Sequence, residues 1–542
     1  MNEATVNSQD RYLRALQAYQ QREYRQAEAQ VSALLRERPE LVNGWRLRAD
    51  IQYALGQLDT CIEYLESALA VAEAASKPWV SASLHLVKIL VASGQQRRAL
   101  RALDIIDFSC VDHIEPLSQA AYHYSLCGGY AASLLLYEKA LLLQPNNTQL
   151  LFNCAAANRA MGKLARAEQL YNRLIAQNPV DAEAYKNRSD LRRQTRAANH
   201  VLELEQVLKG RPLDTGGESQ LCFALAKEYE DLEEYAKSMA MLERACKLRR
   251  SIIRYAPETD LEKIDEIMRV FDRDKILNAM AKSSEPAQGR EIVFVLGMPR
   301  TGTTLVDRIL CANGQVVSAG EPGIFSRLLT EMIEEIAREN SGETVPGNKG
   351  LVEIAAGIDF EQLGRNYLQE IKGRVSREGS ELILDKNPMN FLYVGLIRLA
   401  LPGAKIVHLC RDAMDTCYAI YKTQFRNAYP FSYDQQELAR YFLKYRALMA
   451  HWQTVVGDGV LDVHYERLVK DFARETQQLY AFCGLHWSAS VADFHMNTRL
   501  GTATASASQV RQPVYATSVG KWKNVEKALQ PMRQVLTQAG FV

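Results

Sequence analysis

Gly128 and Gly162 stand 34 residues apart, and the same step separates Ala131 from Ala165, Tyr137 from Tyr171, and Pro145 from Pro179. Gly94 continues the glycine series backwards by that step. Pro39 to Gly56 spans 17 residues, as does Pro145 to Gly162, so an earlier unit with altered spacing is expected. Each unit places a small residue where two helices meet, an aromatic residue in the second helix and a proline after it. One such helix pair cannot bury its apolar face alone, so pairs stack into a solenoid with a concave groove. From about residue 9 to about 280 the chain carries helical patterning and almost no strand-like segments. Leu221–Arg250 reads as a further unit, whereas Asn187–Pro212 is more charged and departs from the repeat. Solenoid geometry points to docking of a peptide or protein in the groove. A scaffold or dimerisation surface is the competing use, so a homodimer stays open.

The chain of 542 residues is too long for one core. With 47% hydrophobic and 24% charged residues it has the composition of a globular protein. Lys and Arg number 65 against 64 Asp and Glu, a net charge of +1, which excludes a bulk electrostatic footprint for nucleic acid or an anionic membrane. Any anion site must be local. The ten cysteines are scattered with no C-x-x-C pair, so unpaired core thiols in a reducing compartment are expected, not a disulfide framework or a zinc site; no metal is called for. Met1–Thr5 has neither a basic nor an apolar leader segment, and no uncharged apolar run of about 18 residues occurs. The expectation is a cytoplasmic protein with no membrane span. Ser283–Gly289 is the clearest composition break, which predicts an all-α repeat domain over 1–282 and a second domain over 290–542. Helices over Glu258–Ala281 lead into the break.

After the break the pattern becomes mixed. Strands are predicted at Ile292–Leu296, Leu382–Leu384, Lys405–Leu409 and Leu461–Val463. Helices are predicted between them at Thr304–Cys311, Ser326–Ala337, Leu363–Val375, Tyr393–Leu401, Asp412–Lys422, Gln435–Val455 and Ala473–Cys483. That alternation predicts an α/β domain with a mostly parallel sheet, P-loop-like, covered by helices on both faces. Its first strand runs into Gly297-Met298-Pro299-Arg300-Thr301-Gly302-Thr303-Thr304, a strand, a tight turn and a helix start. Free backbone N–H groups and the helix dipole make such a turn an anion site, and Arg300 adds a fixed charge. In a nucleoside-triphosphate loop, G-x-x-x-x-G-K-[ST], a lysine follows the second glycine. Gly297 and Gly302 fit that spacing, but Thr303 stands where the lysine belongs, so an ATP or GTP hydrolase or kinase is disfavoured.

Further segments follow in order: Gly320-Glu321, Asp385-Lys386-Asn387-Pro388, His408-Leu409-Cys410-Arg411-Asp412, His464-Tyr465-Glu466-Arg467-Leu468 and Ser518-Val519-Gly520-Lys521-Trp522. Together with the loop they resemble the sulfotransferases that carry N-terminal tetratricopeptide repeats and are related to protein-tyrosine sulfotransferases. The resemblance covers essentially the whole chain. It implies that Arg300, Thr301, Gly302, Thr303 and Thr304 hold the 5′-phosphosulfate of the co-substrate 3′-phosphoadenosine 5′-phosphosulfate. It implies Glu321 as catalytic acid or base, Lys386 as the lysine of its loop, Arg411 on the 3′-phosphate, Tyr465 near the adenine, and Ser518 and Lys521 in the terminal block.

These residue types make chemical sense on their own terms. Sulfuryl transfer resembles phosphoryl transfer and needs an anion cradle, a base for the acceptor hydroxyl, and cations where charge develops on the leaving phosphate. Arg300, Thr303 and Thr304 supply the cradle, Glu321 the base, and Lys386 a cation for the bridging oxygen. Each has a bland rival: Glu321 as a solvated cap, Lys386 as the partner of Asp385 in a turn, Arg411 as the partner of Asp412 or Asp415. Tyr465 can be half-core, and Ser518 and Lys521 ordinary loop residues. One position departs from the family: Ala419 stands eight residues after Arg411, where a serine is usual. Thr416, Tyr421 or Arg511 are the candidate substitutes for that lost contact, and Arg511 thereby joins the donor-binding set. The function these features predict is sulfuryl transfer to a hydroxyl, with a peptide or protein tyrosine presented by the repeats, and with a carbohydrate or small-molecule hydroxyl left open. The alternative is a repeat scaffold whose transferase domain has decayed.

Overall fold

A computed structural model describes residues 3–210, 212–281, 283–341, 348–375, 381–425, 428–496 and 509–542. Residues 211 and 282, within or bounding stretches predicted above, lie outside the described residues. The chain divides into two compact units, 1–161 and 162–542, so the composition break at Ser283–Gly289 falls inside the second.

The first unit is built of antiparallel helix pairs: Glu3–Gln20 with Tyr24–Glu37, Val42–Ala54 with Leu58–Val71, Lys77–Ala92 with Gln96–Asp104, and Ile114–Leu126 with Tyr130–Leu143; Thr148–Ala160 closes the unit. The glycines that show the period are the residues that end the first helix of a pair. Gly56, Gly94 and Gly128 have φ of 77°, 75° and 81°, a left-handed conformation that glycine adopts without a Cβ clash. The first pair turns at Arg22 with φ of 63°. A non-glycine residue there explains why no repeat signal marks that pair. The altered spacing before Gly94 reflects a longer link between Val71 and Lys77, in which Ser76 caps the next helix by accepting from the Trp79 N–H at 3.3 Å.

The second unit opens with the helices Leu164–Gln177, Ala182–Ser189 and Val201–Gly210, and an isolated bridge between Thr195 and Ala198 interrupts them where the sequence departs from the repeat. A regular pair, Thr215–Asp231 and Tyr235–Ser251, follows and turns at Glu233 with φ of 64°. Pro257–Val270 and Arg273–Ala281 complete the helical part.

Among the described residues five strands then form one parallel sheet: β1 (Ile292–Gly297), β2 (Val316–Ser318), β3 (Leu382–Lys386), β4 (Lys405–Cys410) and β5 (Val460–His464), ordered β2-β3-β1-β4-β5. All six residues of β1 are buried, as a central parallel strand requires. Its side chains alternate between two cores. Ile292, Phe294 and Leu296 join Phe325, Tyr367 and Trp452, whereas Val293 and Val295 join Val306, Leu384, Val407 and Tyr480. The first of these cores continues through Cys222, Phe223, Met239, Leu242, Leu261 and Ile264, so the regular helix pair and the helix after it share a core with the sheet. That continuity places the helices from Thr215 onward in the sheet's unit. Among the described residues no helix is long and apolar enough to cross a membrane. None of the ten cysteines is in a disulfide, and eight of them are buried.

The left-handed turns give a direct test. An L-residue there costs roughly 1–2 kcal/mol relative to its right-handed form, partly offset by the chain entropy that glycine loses on folding. Glu233→Gly should therefore raise stability by about 0.5–1 kcal/mol and Gly128→Ala should lower it by about 1 kcal/mol, read from urea unfolding of the full chain.

Candidate functional site

The turn after β1 is held in one shape by steric limits on both sides. A Cβ on Gly297, at φ 139°, would lie 2.7 Å from the Leu409 carbonyl oxygen of β4, so only glycine fits. A Cβ on Gly302, at φ 108°, would lie 2.9 Å from the Tyr465 ring. Between them Arg300 takes a left-handed φ of 67°, and the Thr301 hydroxyl donates to the Met298 carbonyl at 2.7 Å. Thr301 thus braces the turn from within. Thr303 and Thr304 open the helix Thr303–Leu310, with Gly302 at its N-cap, and both are buried. The first-turn N–H groups of that helix have no intrahelical acceptor and carry the positive end of its dipole.

β4 and β5 deliver the next residues to the same place, because register pairs Cys410 with His464 and so sets Arg411 beside Tyr465. The Arg411 guanidinium lies 4.8 Å above the Tyr465 ring. It donates to the Arg300 carbonyl at 2.9 Å and to the Ser518 carbonyl at 2.8 Å. The Tyr465 and Ser518 hydroxyls are hydrogen-bonded at 2.7 Å. Asp415 secures the terminal block by accepting from the Gly520 N–H at 2.6 Å, and Glu466 accepts from the Asp412 N–H at 2.9 Å. Arg300, Arg411, Tyr465 and Ser518, which lie far apart in sequence, thus meet in one constellation. Burial, and then the charge of Arg411, both work against the Arg300 cation and hold its pKa below the ordinary arginine value. Two guanidinium groups this close favour a ligand with negative charge.

On the other side of β1, register sets Val295 against Lys386, the last residue of β3. Lys386 is 2% exposed and paired with Glu321, whose side chain is 44% exposed. The loop bearing Glu321 is fastened to β3 by the Ala319 N–H on the Leu384 carbonyl at 2.8 Å and the Lys386 N–H on the Gly320 carbonyl at 2.9 Å. One partner of the pair is therefore sealed in and the other reaches solvent. Lys386 is not the turn partner of Asp385. The Asp385 carboxylate points to the opposite face of the sheet, where it accepts from the Tyr367 hydroxyl at 2.9 Å and the Asn390 amide at 3.2 Å. Burial pushes its pKa up to about 7. Nor does Arg411 pair with Asp412, which instead caps its helix by accepting from the Asp415 N–H at 2.9 Å.

The candidate substitutes for the serine missing at 419 are placed differently. Ala419 is buried and its carbonyl accepts from the Thr423 hydroxyl at 2.8 Å. The Thr416 hydroxyl donates to the Arg411 carbonyl at 3.4 Å. Tyr421 is buried against Cys246, whose thiol donates to its carbonyl at 3.5 Å. Arg511 lies across Gly162, where an added Cβ would come 2.8 Å from its guanidinium, and it feels the charge of Arg308. The cation nearest in sequence to Ala419 is Lys422, which ends the same helix and meets Lys521 at the carboxylate of Glu230. Sequence reading missed Lys422 and Glu230, since nothing local marks a repeat-helix glutamate as buried.

His408, Cys410 and Asp462 place one potential ligand atom each within 4.8 Å of one another, a grouping that their sequence spacing did not announce. Their polar atoms are already engaged. His408 Nδ1 is hydrogen-bonded to Asp462 at 2.8 Å and Nε2 to the Tyr445 hydroxyl, while the Arg446 guanidinium approaches Cys410 at 3.8 Å. Burial lowers the His408 pKa against the opposing pull of Asp462. A neutral histidine fixing β4 to β5 accounts for these contacts.

Two family models match the chain, both within its second unit. Residues 292–489 match the model of the sulfotransferase family, and residues 219–252 match that of the tetratricopeptide repeat. An uncharacterised protein of Aquifex aeolicus is 28% identical over 393 residues, 70% of this chain and 49% of its own length. The chain thus spans about half the length of that relative. A putative protein-tyrosine sulfotransferase of Caenorhabditis briggsae is 23% identical over 43% of this chain and 80% of its own. Protein-tyrosine sulfotransferase 1 of Danio rerio is 22% identical over 46% of this chain and 72% of its own. Among solved structures, the sulfotransferase domain of the curacin biosynthetic pathway aligns with a TM-score of 0.32 and 16% identity, over 46% of this chain and 98% of its own.

The buried acid supplies a test of the electrostatics. The folded pKa of Asp385 lies above its ordinary value, so the folded protein binds the extra proton between about pH 4 and about pH 7. Its contribution to stability is present at the acid end of that window and is lost as pH rises through 7. Unfolding in urea at pH 5 and pH 8 should show Asp385→Asn losing less stability than the parent over that interval.

Proposed function

With residues 292–489 a domain of the sulfotransferase family and tetratricopeptide repeats ahead of it, we propose that the protein transfers a sulfuryl group from 3′-phosphoadenosine 5′-phosphosulfate to a hydroxyl acceptor. The observation that carries this reading is the pair formed by buried Lys386 and solvent-reaching Glu321 at the carboxyl end of β3, next to the anion turn after β1. In open α/β sheets ligands bind beyond the carboxyl ends of the strands, where connections diverge to opposite sides. Both neighbours of β1 are reached by such crossovers.

The donor brings an activated sulfuryl group whose S–O bond to phosphate breaks as the acceptor oxygen bonds to sulfur. The residues divide the work by position. Backbone N–H groups from Gly302 to Thr304, with Arg300, hold the 5′ end of the donor. Arg411, with Ser518, serves the 3′-phosphate, and the Tyr465 ring, fixed against Gly302, flanks the nucleotide. Glu321 takes the acceptor proton, and Lys386 stabilises negative charge on the bridging oxygen as it leaves. In the free enzyme these last two neutralise each other.

We take the acceptor to be presented by the repeats, which fits a peptide or protein tyrosine, and we place the reaction in the cytoplasm, where ten free cysteines stay reduced. Retention of Arg300, Glu321, Lys386 and Arg411 in one arrangement favours this over a decayed scaffold. Glu321→Ala should leave binding of 3′-phosphoadenosine 5′-phosphate nearly intact and lower turnover at least ~10²-fold, the usual scale for a general base. Transfer from a radiolabelled donor to a fractionated cell extract measures this, and near-normal labelling by the variant would show that Glu321 is not the base.

A further inference from the structure

Glu230 lies near the end of the repeat helix Thr215–Asp231 and is 8% exposed. Its ligands come from the sulfotransferase domain. The Tyr418 hydroxyl donates to Oε1 at 2.9 Å, Lys422 Nζ donates to both oxygens at 2.7 and 3.0 Å, and Lys521 Nζ stands 3.4 Å from Oε1. Lys422 follows the helix that Arg411 and Asp412 begin, and Lys521 sits in the block pinned by Asp415 and Arg411. Both lysines are therefore attached to the segments that form the arginine–tyrosine constellation. Two ammonium groups against one carboxylate leave a local positive excess at Glu230.

We propose that Glu230 is a positioning residue of the donor site: it holds Lys422 and Lys521 together as cations for a phosphate of the bound donor, which makes the repeat helix part of that site. This rests on the sulfotransferase reading above. Lys422 then supplies, from the end of the same helix, positive charge that the serine absent at 419 does not.

The alternative, that Glu230 competes with the donor for these cations, predicts the opposite sign. Glu230 cannot swing out of the way, because it is buried on a helix whose Cys222 and Phe223 are part of the core shared with the sheet. Removing it would leave two cations facing each other in a partly desolvated place, and buried charge without a partner is costly. The groups around Lys422 are Glu230 from the repeat helix, Lys521 from the terminal block, Arg300 from the turn after β1, and the Tyr418 ring one turn back on its own helix, 4.6 Å from Nζ. Burial already lowers Lys422 to about 8, with Lys521 and Arg300 adding to the effect and Glu230 opposing it. Loss of the Glu230 charge lowers it further, so the ammonium group gives up its proton at a lower pH than in the parent.

Titration calorimetry of the full chain and of Glu230→Gln and Glu230→Asp tests this, with 3′-phosphoadenosine 5′-phosphate and, separately, pyrophosphate as probes from pH 6 to pH 9. Glu230→Gln should bind both probes about fivefold more weakly at pH 8 and recover most of the difference at pH 6, as a lysine pKa lowered by about one unit requires. Glu230→Asp, which keeps the charge, should restore most of the affinity at pH 8. Equal or tighter binding by Glu230→Gln overturns the inference alone, and so does a loss of the same factor at every pH, which marks a structural role only. A parent chain that binds pyrophosphate and not the nucleotide overturns the nucleotide reading, and the pyrophosphate arm still decides on Glu230. A parent chain that binds neither overturns both.

Discussion

The close approach of β1 to β4 at Gly297 is the constraint on which the site depends. With a Cβ there impossible against the Leu409 carbonyl, the chain can leave β1 and turn at once, and Arg300 is carried through a left-handed conformation to do so. That conformation costs energy, and such strain persists only where surrounding contacts over-determine it. Here they do. Arg411 holds the Arg300 carbonyl, Tyr465 closes over Gly302, and Thr301 ties the turn to Met298. Two further chain segments are thereby fixed to one internally braced turn, and a rigid anion cradle costs little reorganisation when charge develops in it.

Charge is distributed unevenly across the sheet. On the β4 side, Arg300, Arg411, Lys422 and Lys521 gather with Glu230 and Asp415 among them, an arrangement that suits a nucleotide with two anionic groups. On the β3 side, one lysine and one glutamate cancel, which suits proton transfer beside a leaving group. Asp385 sits beside Lys386 in sequence yet takes no part in that pairing, because alternation along β3 sends it to the opposite core. The period of two along a strand is what separates the buried acid from the lysine paired with Glu321.

Much of this was legible in the sequence, for physical reasons that can be named. β1, β3, β4 and β5 are apolar, β-branched runs, and buried parallel strands have that composition. β2, three residues long at Val316–Ser318, carries too little pattern to be read and went unpredicted. Repeats that turn at glycine showed their period, and those that turn at Arg22 or Glu233 did not, although the backbone there is the same. Arg300 and Arg411 stood out because each follows a predicted strand, where side chains collect at a sheet edge, whereas Glu321 and Lys386 were singled out mainly by the family resemblance. Glu230 and Lys422 could not stand out. Their meeting depends on how a repeat helix packs on the sheet domain, and only tertiary structure brings together residues 192 positions apart.

The central claim is that the turn after β1 and the Arg411–Tyr465–Ser518 group form the two ends of one site for an adenosine 3′-phosphate 5′-phosphosulfate. Its most direct test is competition calorimetry of the full chain with 3′-phosphoadenosine 5′-phosphate and with ATP. The account predicts saturable one-to-one binding of the bisphosphate, weak or no binding of ATP, and loss of the difference in Arg411→Ala. Preference for ATP, or no binding of the bisphosphate by folded protein, would contradict it.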